Sequence, residues 1–470
     1  MKIASFLVVM CMVFCDLKAQ PAYTEPQFAY DSLINVAYGT AIGYSGASDT
    51  LELDIYKPNG DGNCRRPLIV LVHGGSWVGG SKEDPDLIYM SRALAKRGWV
   101  VANINYRLGT HKASNYTMYA FCNSTISAPC AYICDSSEIY RANYRGMQDA
   151  KAAIRFMKSR NLLDSTDVDN TFIAGQSAGG FVALAAAFTD DPSEKHISCF
   201  EIPDAPQPDA DLINFGCIPS SNNRSRPDLG SIEGELNIGT FDASVKGVGN
   251  FFGGIMDIGI LNQSNAATPF VYMFHQGSDV IVNYDYGRIL GRISWECYAQ
   301  TNLCQSYFFY PDAHGSKAIL EDFIAQGIPV TNYQADIVEN FLYLNNCLSN
   351  GHSIDNIELR LQNMVNLFAD KIEDSGNIPA VNCSTTSVNN VKSVIGISIY
   401  PNPATENFTI KIDPKMIGIT YEIIDITSHT VATGKLTEEL SLIKTDKFKA
   451  GLYILKLDIT GGRFFKIHKL

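Results

Sequence analysis

The sequence contains no C-x-x-C pair, and no histidine stands at zinc-ligand spacing from its closest cysteines, Cys130 and Cys134, so a metal site is the weaker use of its cysteines. It has no basic stripe either. Lysine and arginine number 37 against 49 aspartates and glutamates, a net charge of -12, which disfavours nucleic acid or an anionic membrane as the main partner. Beyond residues 3–15 there is no apolar run of 18 residues, so no transmembrane segment is expected in the mature chain. Charged residues make up only 18% while hydrophobic residues reach 46%, which excludes global disorder. No cofactor is called for.

What is present begins with an export leader. Lys2 precedes the apolar stretch 3–15, and Lys18-Ala19-Gln20 offers a small residue for cleavage, so residues 1–19 read as a signal peptide. Its removal takes Cys11 and Cys15 and leaves Cys64, Cys122, Cys130, Cys134, Cys199, Cys217, Cys297, Cys304, Cys347 and Cys383. An even number of cysteines in an exported chain favours disulfides, with connectivity left open.

Along the chain, residues 51–56 alternate as a half-buried strand, ended by a turn at Lys57-Pro58-Asn59-Gly60. The continuous apolar runs 68–72 and 99–104 suit strands buried on both faces, with helical spacing over 87–97 between them. Residues 140–160 follow as a helix, 171–174 as a strand, and a small-residue helix runs from Phe181 to Phe188. This is α/β: a mostly parallel central sheet covered by helices on both faces. Segments 109–138 and 190–243 interrupt it as two insertions, either walls or a lid for a substrate cleft, or surface elaboration. Segment 245–252 is ambiguous between strand and loop. Strands are expected over 269–274 and 306–310, a closing helix over 335–344, and a helix over 357–368 that packs back. Ser, Thr, Asn and Pro then mark 374–395 as a linker. Beyond it the period becomes two, the signature of a small C-terminal β-sandwich.

The chemistry centres on Gly175-Gln176-Ser177-Ala178-Gly179, a G-x-S-x-G run between a strand and a helix. Glycines on either side allow the sharp turn that exposes a serine, which makes Ser177 the candidate nucleophile. A base and then an orienting carboxylate are required. For the acid, Asp279 follows the 269–274 strand by a loop, with Asp285 in reserve. Of the histidines after it, His429 and His468 fall in the C-terminal module and His352 beyond the last expected sheet element. His314, just after the 306–310 strand, is therefore the expected base. Val72-His73-Gly74-Gly75-Ser76-Trp77 supplies a glycine loop for a developing oxyanion, whose donors are expected from Gly74, Gly75 and Ala178. His73 would brace that loop, and Trp77 would line the substrate pocket or simply pack.

His73-Gly74-Gly75-Ser76-Trp77, Asn105-Tyr106-Arg107-Leu108, Asp149, the Ser177 pentapeptide, and Asp279 with Val282 together resemble the carboxylesterase branch of the α/β-hydrolase superfamily. The nearest groups are the bacterial feruloyl-esterase-like and hormone-sensitive-lipase-like ones, and the resemblance spans roughly residues 51–344. Ser76 stands where a third glycine is common, and Asn283 where a proline often follows. Ile399-Tyr400-Pro401-Asn402-Pro403, Gly451-Leu452-Tyr453, Lys466 and Lys469 resemble the type A C-terminal sorting domain of type IX secretion. That resemblance implies passage across the outer membrane, leaving the cargo surface-attached or released, and the type IX machinery as partner through residues 396–470.

The expectation is thus a signal peptide (1–19), an α/β-hydrolase catalytic domain (20–373), a linker (374–395) and a sorting β-sandwich (396–470). The implied activity is that of a secreted serine carboxylesterase on acyl esters of polysaccharides or other small esters. The alternatives are a lipase or peptidase of the same fold, or a hydrolase-like protein that binds glycan without turnover.

Overall fold

The computed structural model describes residues 23–111, 136–203, 226–261, 269–292, 310–340, 351–374 and 397–469, save 401, 403, 426, 428 and 459–462. The expected leader, the strand at 306–309 and the linker from 375 lie outside the described residues, as do the central parts of both insertions. No described helix is long and apolar enough to cross a membrane.

Strands β1 (Ala29–Ile42), β2 (Ser48–Asn59), β3 (Arg66–Val72), β4 (Val100–Ile104), β5 (Thr166–Gln176), β6 (Gly247–Phe251), β8 (Phe270–Gln276) and β11 (Tyr333–Val338) form one eight-stranded sheet, ordered β1-β2-β4-β3-β5-β6-β8-β11. β2 pairs antiparallel to both β1 and β4, and every later pairing is parallel. Helices α1 (Pro85–Lys96), α2 (Ser137–Ser159), the single turn α3 (Asn161–Asp164), α4 (Ala178–Phe188), α5 (Ser316–Gln326) and α6 (Ile357–Asp374) accompany it. The order and the strand–turn–helix at Ser177 are those of the α/β-hydrolase fold.

The apolar run at 68–72 explains itself in this setting. Leu68, Val70 and Val72 share a core with α2 and α4, while Ile69 and Leu71 share another with α1 and α6. A strand covered on both faces has no polar side to spare. Asp84 caps α1 by accepting from the backbone N–H of Asp86 and Leu87, and Gly98 (φ +96°) follows the helix.

Two readings require correction, and one left open is resolved. Residues 335–338 are not helical: they belong to β11, in parallel register with Met273 to Gln276 of β8. Apolar residues at 335, 337 and 338 fit either period, and the open edge of β8 decides between them. Lys57-Pro58-Asn59 continues β2 instead of turning, because Pro58 faces Tyr30 of the edge strand β1. The ambiguous 245–252 segment contains β6, an interior strand.

The second insertion is partly anchored. α2 carries a buried polar stripe at Arg141, Gln148, Lys151, Arg155 and Lys158, spaced along one helix face. Gln148 donates to the carbonyls of Leu229 and Ser231 at 2.7 Å, and Arg155 to those of Glu233 and Leu236 at 2.7 and 2.9 Å. Lys158 holds Asp242 and the Ser244 carbonyl, both at 2.8 Å. Residues 229–244 are therefore a strap fastened along α2.

The C-terminal strands β12 (Ser398–Tyr400), β13 (Asn407–Lys411) and β16 (Leu440–Lys444) make one sheet, and β14 (Thr420–Asp425), β15 (Thr430–Lys435), β17 (Gly451–Leu457) and β18 (Arg463–Lys469) another. Alternate residues such as Phe408, Ile410, Leu455 and Leu457 fill one core. Asn402 binds the last strand on both sides, donating to the Lys466 carbonyl at 2.6 Å and accepting from the His468 N–H at 2.8 Å.

Candidate active site

β5 ends at Gln176, and Ser177 caps α4 with φ 53° and ψ -126°, a backbone conformation a non-glycine residue rarely adopts. The glycines around it are needed for space. A Cβ on Gly175 would lie 2.1 Å from the Gly179 carbonyl oxygen, and one on Gly179 2.2 Å from that of Val72. The turn can therefore close only on backbone, and it leaves the serine 9% exposed at the sheet's carboxyl edge.

Ser177 Oγ lies 2.8 Å from His352 Nε2, and His352 Nδ1 lies 2.8 Å from Asp279 Oδ2. With the Nδ1–H directed at a carboxylate, the Nε2 lone pair faces the serine hydroxyl. Asp279 is fully buried, its Oδ1 accepting from the backbone N–H of Ile281 (2.8 Å) and Val282 (3.0 Å). Burial pushes its carboxyl up, but the His352 charge and the bonds from His275 and His352 outweigh this and hold it below the usual carboxylate value. Gly351 (φ +84°) delivers His352: a Cβ there would meet Asp279 N at 2.3 Å.

The structure thus brings two of the expected residues, Ser177 and Asp279, together, and replaces the third. His314 does not occupy the base position. Its strand β10 (Asp312–Gly315) runs antiparallel between β7 (Gly254–Ile255) and β9 (Tyr286–Arg288) in a separate three-stranded sheet. There its ring packs on Tyr286, 4.6 Å between centroids. The signal for His352 is its position after the last strand of the sheet, β11, which a helix expected over 335–344 conceals. Asp285 accepts from Lys317 at 2.7 Å.

Gly74 lies against the nucleophile, where an added Cβ would be 3.0 Å from Ser177 Cβ. Gly75 takes φ +113°, and its carbonyl accepts from the N–H of Val78 and Gly79, both at 3.0 Å, closing the loop on itself. Ala178 opens α4, so its N–H has no carbonyl one turn earlier in the helix. His73 stacks on Tyr106 at 4.6 Å, and Tyr106 Oη donates to the His73 carbonyl at 3.2 Å. Trp77 is buried against Phe181, with its indole N–H given to Asn143 Oδ1 at 3.1 Å. It packs beneath the loop.

Cys64 is disulfide-bonded, and Cys199 is the free cysteine among the described residues. The remaining cysteines lie outside them. No cluster of metal-ligating side chains occurs among the described residues.

Residues 53–145 match the BD-FAE family model, and residues 398–469 match the secretion system C-terminal sorting domain. The chain is 28% identical over 151 residues to the neuroligin-like protein glit-1 of Caenorhabditis elegans, covering 32% of this chain and 17% of that one. It is 30% identical over 169 residues to the fumonisin B1 esterase of Sphingopyxis macrogoltabida, covering 36% and 28%. It therefore spans under a third of the length of either relative. Among solved structures it is similar to a truncated carbohydrate esterase from gut microbiota, with 17% identity and a TM-score of 0.39 over 74% of this chain and 99% of that one. The chain combines an α/β-hydrolase-fold domain carrying a BD-FAE segment with a type IX C-terminal sorting domain, which marks it for export to the cell surface or beyond.

Proposed function

We propose that the protein is an exported serine carboxylic-ester hydrolase that works through an acyl-enzyme. The observation that carries this reading is the unbroken pair of 2.8 Å contacts from Ser177 Oγ through His352 to Asp279. As an ester carbonyl approaches, Ser177 Oγ attacks its carbon and His352 Nε2 takes the hydroxyl proton, while Asp279 stabilises the imidazolium. Negative charge moves to the carbonyl oxygen, where the N–H groups of Gly74, Gly75 and Ala178 are the donors we assign. Collapse expels the alcohol, which leaves with the proton from His352. Water then adds to the acyl-enzyme by the same route and releases the acid.

We assign the catalytic domain to residues 20–373, the linker to 374–395 and the sorting domain to 396–470. Acyl esters of polysaccharides or other small esters are the proposed substrates: a sorting domain is consistent with an enzyme that acts outside the cell, and the esterase named among the relatives supports the bond type. The type IX machinery is the proposed partner of residues 396–470.

A panel of acetylated, feruloylated and fatty esters, run on the wild type and Ser177→Ala together, tests the reading. Hydrolysis of at least one ester class is expected, lost in Ser177→Ala, together with fluorophosphonate labelling of Ser177. Full activity in Ser177→Ala would sink it.

A further inference from the structure

Behind the triad lies a second, fully buried histidine. His275, on β8, has Nε2 at 3.2 Å from Asp279 Oδ2 and 3.0 Å from the Val282 carbonyl oxygen. Its Nδ1 sits 3.1 Å from Ser316 Oγ and 3.4 Å from the Ser316 N–H. Asn250 Nδ2 donates to Ser316 Oγ at 3.2 Å, and Asn250 Oδ1 accepts from the Gly253 N–H at 3.1 Å. His275, Asp279, Asn250 and Ser316 are all 0% exposed.

These contacts fix the proton positions. Asn250 can only donate from its amide nitrogen, so the Ser316 oxygen accepts there and its own hydroxyl proton is free to point at His275 Nδ1. The Ser316 backbone N–H points at the same nitrogen. Nδ1 is thus the acceptor, and the ring proton must reside on Nε2, between Asp279 Oδ2 and the Val282 carbonyl. A second proton, on Nδ1, would face a backbone donor.

We propose that His275 is a positioning residue for Asp279: a neutral N–H donor, locked by Ser316 and Asn250, that shares the carboxylate oxygen used by His352. The proposal rests on the reading of Ser177, His352 and Asp279 as a hydrolytic triad. Two consequences follow from the geometry. Asp279 cannot rotate about its side chain without losing the bond from His275 as well as those from Ile281 and Val282, so Oδ2 stays aimed at His352. The donated bond also spreads the carboxylate's charge, which keeps Asp279 from holding the His352 imidazolium too tightly and from taking its proton. Among the described residues the titratable groups facing the Asp279 carboxylate are His275 and His352, while Arg292 donates to the Asp279 carbonyl at 2.9 Å.

The test compares wild type, His275→Leu, His275→Gln and Ser316→Ala on one hydrolysable ester, across pH, with thermal unfolding of each. Glutamine places an amide N–H where Nε2 stood; leucine fills the space without a donor. His275→Leu should lose about tenfold or more in kcat, the scale of outer-shell partners, with KM little changed. Its acid limb of kcat/KM should move to higher pH, because a more concentrated charge on Asp279 favours protonated His352. His275→Gln should restore both. A purely structural role would lower the unfolding temperature and leave the limb in place. If His275→Leu does not fold, Ser316→Ala decides: a lower kcat with a shifted limb supports the proposal. Unchanged kcat and limb in the folded variant overturn it. An inactive wild type, unlabelled at Ser177, would instead overturn the esterase reading.

Discussion

At position 352 the side chain and the backbone before it have separate tasks. The imidazole bridges Ser177 and Asp279, and Gly351 lets the chain pass within contact of the Asp279 backbone in a left-handed conformation. Phe252 closes one side of the ring, edge-on at 4.8 Å between centroids. His314 instead lies on β10, its ring against Tyr286. The two histidines therefore separate cleanly by substitution. His352→Ala should lower kcat by about 10⁴-fold or more, as loss of a general base does in such triads, whereas His314→Ala should keep kcat within about twofold by the same comparison. Ester hydrolysis rates of the two purified variants check this. The likeness of His314 to a base is local: a strand-like run before it and a glycine after it imitate the end of a central strand. Whether a strand belongs to the central sheet is decided by its pairing partners, which lie far away in sequence.

At the scale of elements, the elbow and its supports depend on how α2 is fixed. Asp149, buried in α2, accepts from the Arg107 backbone N–H at 2.8 Å and pairs with its guanidinium at 2.8 Å. This joins the loop after β4, which also carries Tyr106 beneath His73, to the helix that packs on α4. Burial pushes the Asp149 carboxyl up, opposed by the neighbouring Arg107 charge. Removing one member of such a pair leaves the other buried without compensation. Asp149→Ala should therefore destabilise the fold by about 3–5 kcal/mol, read as a lower midpoint in urea unfolding. The cationic stripe of α2 illustrates the limits of reading helices by apolar period. Arg141, Lys151, Arg155 and Lys158 would normally mark a solvated face, yet here they are buried because the Pro227 carbonyl and, on the distant strap, Glu233, Asp242 and backbone carbonyls accept their hydrogen bonds. Only the path of the strap makes that face an interior one.

At the scale of the molecule, two modules with different periods divide the work. The α/β domain holds the candidate site at the carboxyl edge of a sheet whose strands run from Ala29 to Val338. The C-terminal sandwich has its own core and no described residue in the triad. Removing residues 396–470 should leave kcat of the purified enzyme unchanged while abolishing delivery to the cell surface or medium. Activity measured in cell fractions beside purified protein checks both halves, and a loss of kcat on truncation would contradict the division.

The sequence by itself determined the fold class, the elbow at Ser177, the loop that carries Asp279 and the tail, because each depends on short-range pattern: strand and helix periods, glycines where no Cβ fits, and turn chemistry after a strand. Only the tertiary structure decided which histidine meets both Ser177 and Asp279 and what stands behind that carboxylate. Ser177 and His352 are 175 residues apart, and His275 meets Ser316 across 41. No local propensity encodes such distances. They are set by the strand order of the sheet and by the loops that its carboxyl edge brings together.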